Sequence, residues 1–211
     1  MKNNQPLSDL EHWFSAPRLS KYSHHPDPER LYIYNARITK ELLVDIGHLE
    51  VLLRNAIDRS LSATYGTDWF LSTRIPLTHQ AQKSIKKARQ RTHQLMTPTV
   101  LPGKIIADVS FDFWRFLFTR TYQSTVWPKI LTSLTQRVSR QEFENHLGRI
   151  YKMRNRCTHH EPWARQDVQR EKKETLAVLD SIHTIAELIN PGAADWIAKH
   201  STVTASIAQR T

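Results

Sequence analysis

One cysteine, Cys157, and five glycines are all that 211 residues contain of either type. A lone cysteine excludes an internal disulfide framework and fits a reducing compartment. Scarce glycine, with apolar residues recurring at intervals of three and four, points to a helical chain. No stretch approaches the roughly 18 to 20 uncharged apolar residues of a membrane span. Residues 1–6 have no apolar signal core behind them, so a soluble cytoplasmic protein with no membrane partner is expected. Acidic residues are also sparse: twenty Asp+Glu stand against thirty Lys+Arg, for a net charge of +10. That excess attracts polyanions, of which nucleic acid is the commonest in cytoplasm.

What is present suits one all-α domain. Hydrophobic residues make up 39% of the chain and include six tryptophans, enough for a substantial core. We expect the core at about 29–190, an N-terminal extension at 1–28 and a C-terminal tail at 191–211. Leu7, Leu10, Trp13 and Phe14 share one side of a short first helix. His24-His25-Pro26-Asp27-Pro28 then breaks the chain, and without a second ligand cluster its histidines read as a solvated loop.

The clearest helix runs from 29 to about 64. Leu31, Tyr34, Ile38, Leu42, Ile46, Leu49, Leu53, Ala56 and Ser60 follow one another at helical spacing, and Gly66 is a plausible stop. Glu50 and Arg54 stand four apart on it, as do Arg54 and Asp58. Periodicity alone favours a surface ladder; the alternative turns Glu50 or Arg54 toward the polar cluster at 154–161.

Between residues 69 and 107 there is no acid at all. Arg74, Lys83, Lys86, Lys87, Arg89, Arg91 and Lys104 give that segment seven positive charges. Thr78 can cap a helix there with Ala81, Ile85 and Ala88 inward. A solvated face is the plain reading. A surface that tracks RNA phosphates through Lys83, Lys86, Lys87, Arg89 and Arg91 is the functional one. Residues 96–103 read as a two-proline connection. The aromatic run Ser110-Phe111-Asp112-Phe113-Trp114-Arg115-Phe116-Leu117-Phe118 reads as a buried helix rather than a base-stacking platform. Trp127-Pro128 breaks the chain before a short helix to about Leu134.

Ser139 and Glu142 have capping-box spacing and open a helix through Phe143, Leu147, Ile150 and Cys157. It leads into Met153-Arg154-Asn155-Arg156-Cys157-Thr158-His159-His160-Glu161-Pro162, the densest concentration of polar chemistry in the chain. Five residues turn an ideal helix by roughly 140° past full circles, so Arg154 approaches His159 only if the helix ends between them. The break expected at Glu161-Pro162 supplies this, with Pro162 starting the last long helix. That helix passes Val168, Leu176, Leu179, Ile182 and Ala186 and stops at Asn190-Pro191-Gly192. The tail is expected to add one short helix anchored by Trp196 and Ile197. Leu53-Arg54-Asn55-Ala56-Ile57 echoes Met153-Arg154-Asn155-Arg156-Cys157.

An arginine and a histidine brought together suit metal-free RNA cleavage. The imidazole handles the 2′-hydroxyl or leaving-group proton, and the guanidinium holds the phosphate. One histidine does not easily serve as both base and acid, so either His160 or a second copy of the motif in a symmetric dimer is implied. The same residues can instead cap and cross-link the helix junction. A metal site of His159, His160 and Glu161 is disfavoured, because adjacent residues diverge on a helix and no further ligand pair is present.

Arg154-Asn155-x-x-x-His159, followed by His160-Glu161-Pro162, resembles the motif of the HEPN superfamily in its Abi-like (abortive infection) branch. Ser15-Ala16-Pro17-Arg18-Leu19, Leu49-Glu50-Val51-Leu52-Leu53-Arg54-Asn55-Ala56-Ile57, Tyr65-Gly66-x-x-Trp69 and Ser110-Phe111-Asp112-Phe113-Trp114 resemble landmarks of Abi-like proteins in the same order, so the likeness spans roughly 8–190. It implies an all-α, HEPN-like antiparallel bundle with additional helices, commonly a homodimer. It also implies a metal-independent ribonuclease of phage defence, or a toxin, held by an RNA or protein antitoxin and needing no cofactor. Arg154 and His159 take the catalytic positions, with Asn155, His160, Glu161, Glu50 and Arg54 in support. Where some HEPN toxins carry a modifiable tyrosine after the histidine, this chain has His160-Glu161. Other HEPN domains only bind nucleic acid or nucleotide, which is the alternative reading.

Overall fold

The computed structural model describes residues 7–94 and 101–210, and within them the chain is all-α, with eleven α-helices and no strand. The elements are α1 (Leu7–Phe14), α2 (Ala16–Leu19), α3 (Pro28–Tyr65), α4 (His79–Arg91), α5 (Pro102–Asp108) and α6 (Phe111–Phe116). They continue with α7 (Trp127–Leu131), α8 (Arg140–Thr158), α9 (Val168–Ile189), α10 (Pro191–His200) and α11 (Val203–Ala208). Residues 1–6 and 96–100, named in the sequence reading, lie outside the described residues. None of the described helices is long and apolar enough to cross a membrane.

Helix α3 is the spine. Asp27 caps it by accepting the Arg30 N–H at 3.0 Å, and the chain leaves through Gly66 at φ 95°, a conformation that favours glycine. Leu31, Ile38, Leu42, Ile46, Leu49, Leu53, Ile57 and Leu61 form its buried stripe, each contributing about 1.5–3 kcal/mol. At its C-terminal end Ile57 and Leu61, not Ala56 and Ser60, point inward.

Helices α8 and α9 pack on α3 and on each other. Arg149 meets Ala177 and Ser181 while Arg165 meets Glu174, so α8 and α9 run antiparallel. Asn35 meets Trp163 while Glu50 meets Arg154, which makes α8 antiparallel to α3 as well. Ser139 caps α8 by accepting the Glu142 N–H at 3.1 Å. The aromatic run is core: Phe111, Phe113 and Trp114 are buried, and Trp69 packs against Phe113 and Trp114. Phe118 stacks on Phe143 at 4.5 Å.

Several expectations need correction. Pro162 does not start the last long helix; α9 begins at Val168, capped by Asp167 accepting the Arg170 N–H at 2.9 Å. Residues 161–167 form instead a connection pinned by Asn35, whose Oδ1 accepts the N–H groups of Trp163 and Ala164 at 2.7 and 2.9 Å. Pro128 sits in the first turn of α7, which ends at Leu131. Beyond Asn190 there are two helices, and Trp196 is 49% exposed. The expected tail is part of the core: Val203 is fully buried, and Arg210 reaches the buried Glu171 at 3.5 Å and the Arg165 carbonyl at 2.8 Å.

Asn35 is buried and satisfies two N–H groups of a connection that carries no helical bonds of its own. Asn35→Ala strands both donors, and is expected to destabilise the fold by about 2–4 kcal/mol, read as a lowered urea midpoint at unchanged m-value.

Candidate active site

The end of α8 is set by hydrogen bonds that need no glycine. His159, the C-cap, donates its N–H to Asn155 O at 3.0 Å. His160 follows at φ 53°, in the left-handed region, and its N–H bonds Cys157 O at 3.2 Å while the Glu161 N–H bonds Arg156 O at 2.8 Å. These bonds satisfy carbonyls that a helix end otherwise leaves open. The Thr158 hydroxyl adds a bond to Arg154 O at 3.0 Å. Helix α8 therefore continues through Thr158 and stops directly before His159, too late to turn Arg154 toward His159, contrary to the expectation from the sequence. It leaves His159, His160 and Glu161 exposed.

Arg154 is turned to α3. Its Nε donates to Glu50 Oε1 at 3.2 Å, with about a third of each side chain exposed. Such a pair contributes at most on the order of 1 kcal/mol, so its consequence is to fix the guanidinium rather than to hold the fold. Burial is the larger influence on Glu50 and lifts its carboxyl above the ordinary range, against the opposing pulls of Arg154 and then Arg54. Of the two readings of Glu50, the one that turns it toward the motif is correct. Arg54 donates to Ala107 O at 3.3 Å, and its buried Nε has no partner. Asp58 accepts the Trp69 indole N–H at 2.8 Å instead of pairing with Arg54. The echoed Arg-Asn sequences thus set two guanidiniums around one carboxylate.

No hydrogen bond or ion pair joins Arg154 to His159, and the side chains of Asn155 and Glu161 make none with described residues. The N-terminal segment does reach the motif: Arg18 donates to the His160 carbonyl at 3.1 Å. Beside it lies a cleft of about 640 Å³ whose lining includes Phe14, Arg18, Tyr32, Lys40, Cys157 and His160. Burial pushes the Cys157 thiol up to about 12, so it stays protonated and is no nucleophile. Among the described residues no group of three His, Cys, Asp or Glu side chains could hold a metal ion. Sequence reasoning named Arg18 and Arg115 within longer runs but assigned neither to the site; Arg115 lies over the Tyr151 ring at 4.4 Å, one turn before Arg154. Neither is near the motif in sequence, and only tertiary packing brings them in.

On α4, Lys83, Lys86 and Lys87 are exposed, while Arg89 is half-buried and donates to Gln94 O at 3.3 Å. Arg91 is a correction to the reading of unmatched charge: it pairs with Asp108 at 2.6 Å. The acid-free stretch ends one residue before the acid that folds back onto it. No family model, curated protein or solved structure matches the chain.

A carboxyl raised in the folded state binds its proton more tightly there than in the unfolded chain. Its stabilising contribution is complete below the unfolded pKa and is lost as pH rises through the folded one. The stability of wild type minus that of Glu50→Gln is therefore expected to fall as pH rises from about 4. Denaturant titrations at a series of pH values measure this, and a flat difference would contradict the role given to burial.

Proposed function

We propose that this chain is a metal-independent endoribonuclease of the HEPN type, acting in the cytoplasm in abortive infection or as a growth-arresting toxin. The observation that carries this reading is Arg154. Its guanidinium is oriented by Glu50 yet partly open to solvent, one turn before a helix end that leaves His159 exposed. A net charge of +10 supports RNA as the polyanion.

In this mechanism a histidine removes the 2′-hydroxyl proton, and O2′ attacks the adjacent phosphorus. The P–O5′ bond breaks, and the departing oxygen takes a proton from a second acid. The products are a 2′,3′-cyclic phosphate and a 5′-hydroxyl. Arg154 binds the phosphate and offsets the charge that grows on it in the transition state. Because Arg154 and His159 are not joined within one subunit, the centre is completed by the motif of a second copy across a two-fold axis. His160 is the competing proton donor. That same separation favours the second reading, a non-catalytic module that binds nucleic acid or nucleotide. An RNA or protein antitoxin would restrain the enzyme in resting cells.

Arg154→Ala and His159→Ala are each expected to lower cleavage by about 10²- to 10⁴-fold and to abolish growth arrest on expression in bacteria. Fragments should carry 2′,3′-cyclic phosphate ends and form in EDTA; arrest that survives both substitutions favours the binding module. Charge reversal of Lys86 and Lys87 should weaken RNA binding and flatten its salt dependence, as measured by fluorescence anisotropy.

A further inference from the structure

Helix α8 has a second charged flank that the proposed mechanism does not use. Arg149, Lys152 and Arg156 recur at three and four residues, and with Trp163, Arg165 and Glu174 they line a groove of about 230 Å³ between α8 and α9. Two residues turn a helix by about 200°, so Arg156 lies on nearly the opposite side of α8 from Arg154. From Arg149 to Arg156 the helix advances about 10 Å, and the flank ends one turn before His159.

The charges there are unbalanced. Four cations face one carboxylate, and Glu174 is already shared between Arg165 at 2.8 Å and Arg170 at 2.9 Å. Among the described residues, Arg149, Lys152 and Arg156 have no carboxylate partner. Two of the guanidiniums are held in place by one aromatic ring, and of these only Arg165 has a carboxylate partner. Those of Arg156 and Arg165 lie 5.6 and 5.3 Å from the centroid of one indole, that of Trp163. Trp163 is itself buried and fixed by its N–H to the Thr175 hydroxyl at 2.9 Å. Arg149 is steadied by the Ser181 hydroxyl at 2.8 Å and the Ala177 carbonyl at 3.3 Å, both neutral acceptors. Guanidiniums oriented in advance lose little entropy on binding, and their planar forks match phosphate oxygens. Cations recurring along about 10 Å of one helix flank can meet successive phosphates of a single strand, as positively charged grooves that track a single-strand backbone do.

We propose that the α8–α9 groove is a docking track for the phosphodiester backbone of single-stranded RNA, leading the strand to the end of α8. The track shares with the proposed function the reading of RNA as ligand, but does not depend on cleavage.

The test uses the full chain carrying His159→Ala, so that a short fluorescent oligouridylate remains intact while its anisotropy is followed over a KCl series. Each phosphate contact on a single strand adds about 0.7 to the slope of log K against log salt. Arg149→Gln/Lys152→Gln/Arg156→Gln is expected to lower that slope by about two and to weaken low-salt binding by more than about tenfold. Arg59→Gln/Lys129→Gln/Lys199→Gln removes the same charge away from the groove and should leave the slope unchanged. Equal effects of the two triples, or no effect of the first, overturn the track. Lys152→Glu disturbs no ion pair or hydrogen bond of the described residues, and should weaken binding more than Lys199→Glu; equal losses also overturn it. Displacement by polyglutamate as readily as by RNA of equal charge would overturn the assignment to RNA. Cleavage by the wild-type sequence is scored separately: active protein with an inert groove refutes the track alone, and inactive protein with an effective groove refutes catalysis alone.

Discussion

The buried stripe of α8 is the constraint on which the rest of the site depends. Phe143, Leu147, Ile150, Met153 and Cys157 are each no more than 2% exposed, which fixes the rotation of the helix between α3 and α9. With the apolar face fixed, 3.6 residues per turn decide where everything else points. One flank delivers Arg154 to Glu50 of α3, and the other lays Arg149 and Arg156 along α9. The left-handed turn at His160 then ends the helix and leaves the histidines beyond both flanks. The phosphate contacts proposed on either side of α8 thus share one packing arrangement.

Local signals were readable in the sequence wherever a single element controls the outcome. The stripe of α3, the Thr78 and Ser139 caps and the core position of the 110–118 aromatics depend on periodicity and capping, which neighbouring residues determine. Pro162 was misread because proline tolerates an extended connection as well as a first helical turn. The extended form is chosen by Asn35, 127 residues before it in the chain, through bonds that no local pattern reveals. Trp196 was misread because large aromatics are usually buried, whereas here the ring stacks on His200 at 4.3 Å at the surface.

Charge was the least readable property. A stretch without acids looks unmatched in one dimension, yet Asp108 returns to Arg91 as soon as α5 packs on α4. The opposite happened on α8, where Arg149, Lys152 and Arg156 also lie in an acid-free stretch, 145–160, but face a groove whose one carboxylate is already paired. Glu50 falls between these cases: spacing permitted a ladder with Arg54, and the turn of α3 against α8 selected Arg154. In each case the partner was set by which faces meet rather than by which residues are adjacent.

The proposed function combines an arginine held by a half-buried carboxylate, histidines at a helix end, and two-fold completion of the centre. What distinguishes it chemically is that the RNA supplies its own nucleophile. An RNA replaced by 2′-deoxy at the mapped cut site, incubated with the protein in EDTA, tests this most directly. The account predicts that the unmodified strand is cut and the substituted strand stays intact at that position. Equal cleavage of both strands would contradict 2′-hydroxyl attack and, with it, the roles given to Arg154 and His159.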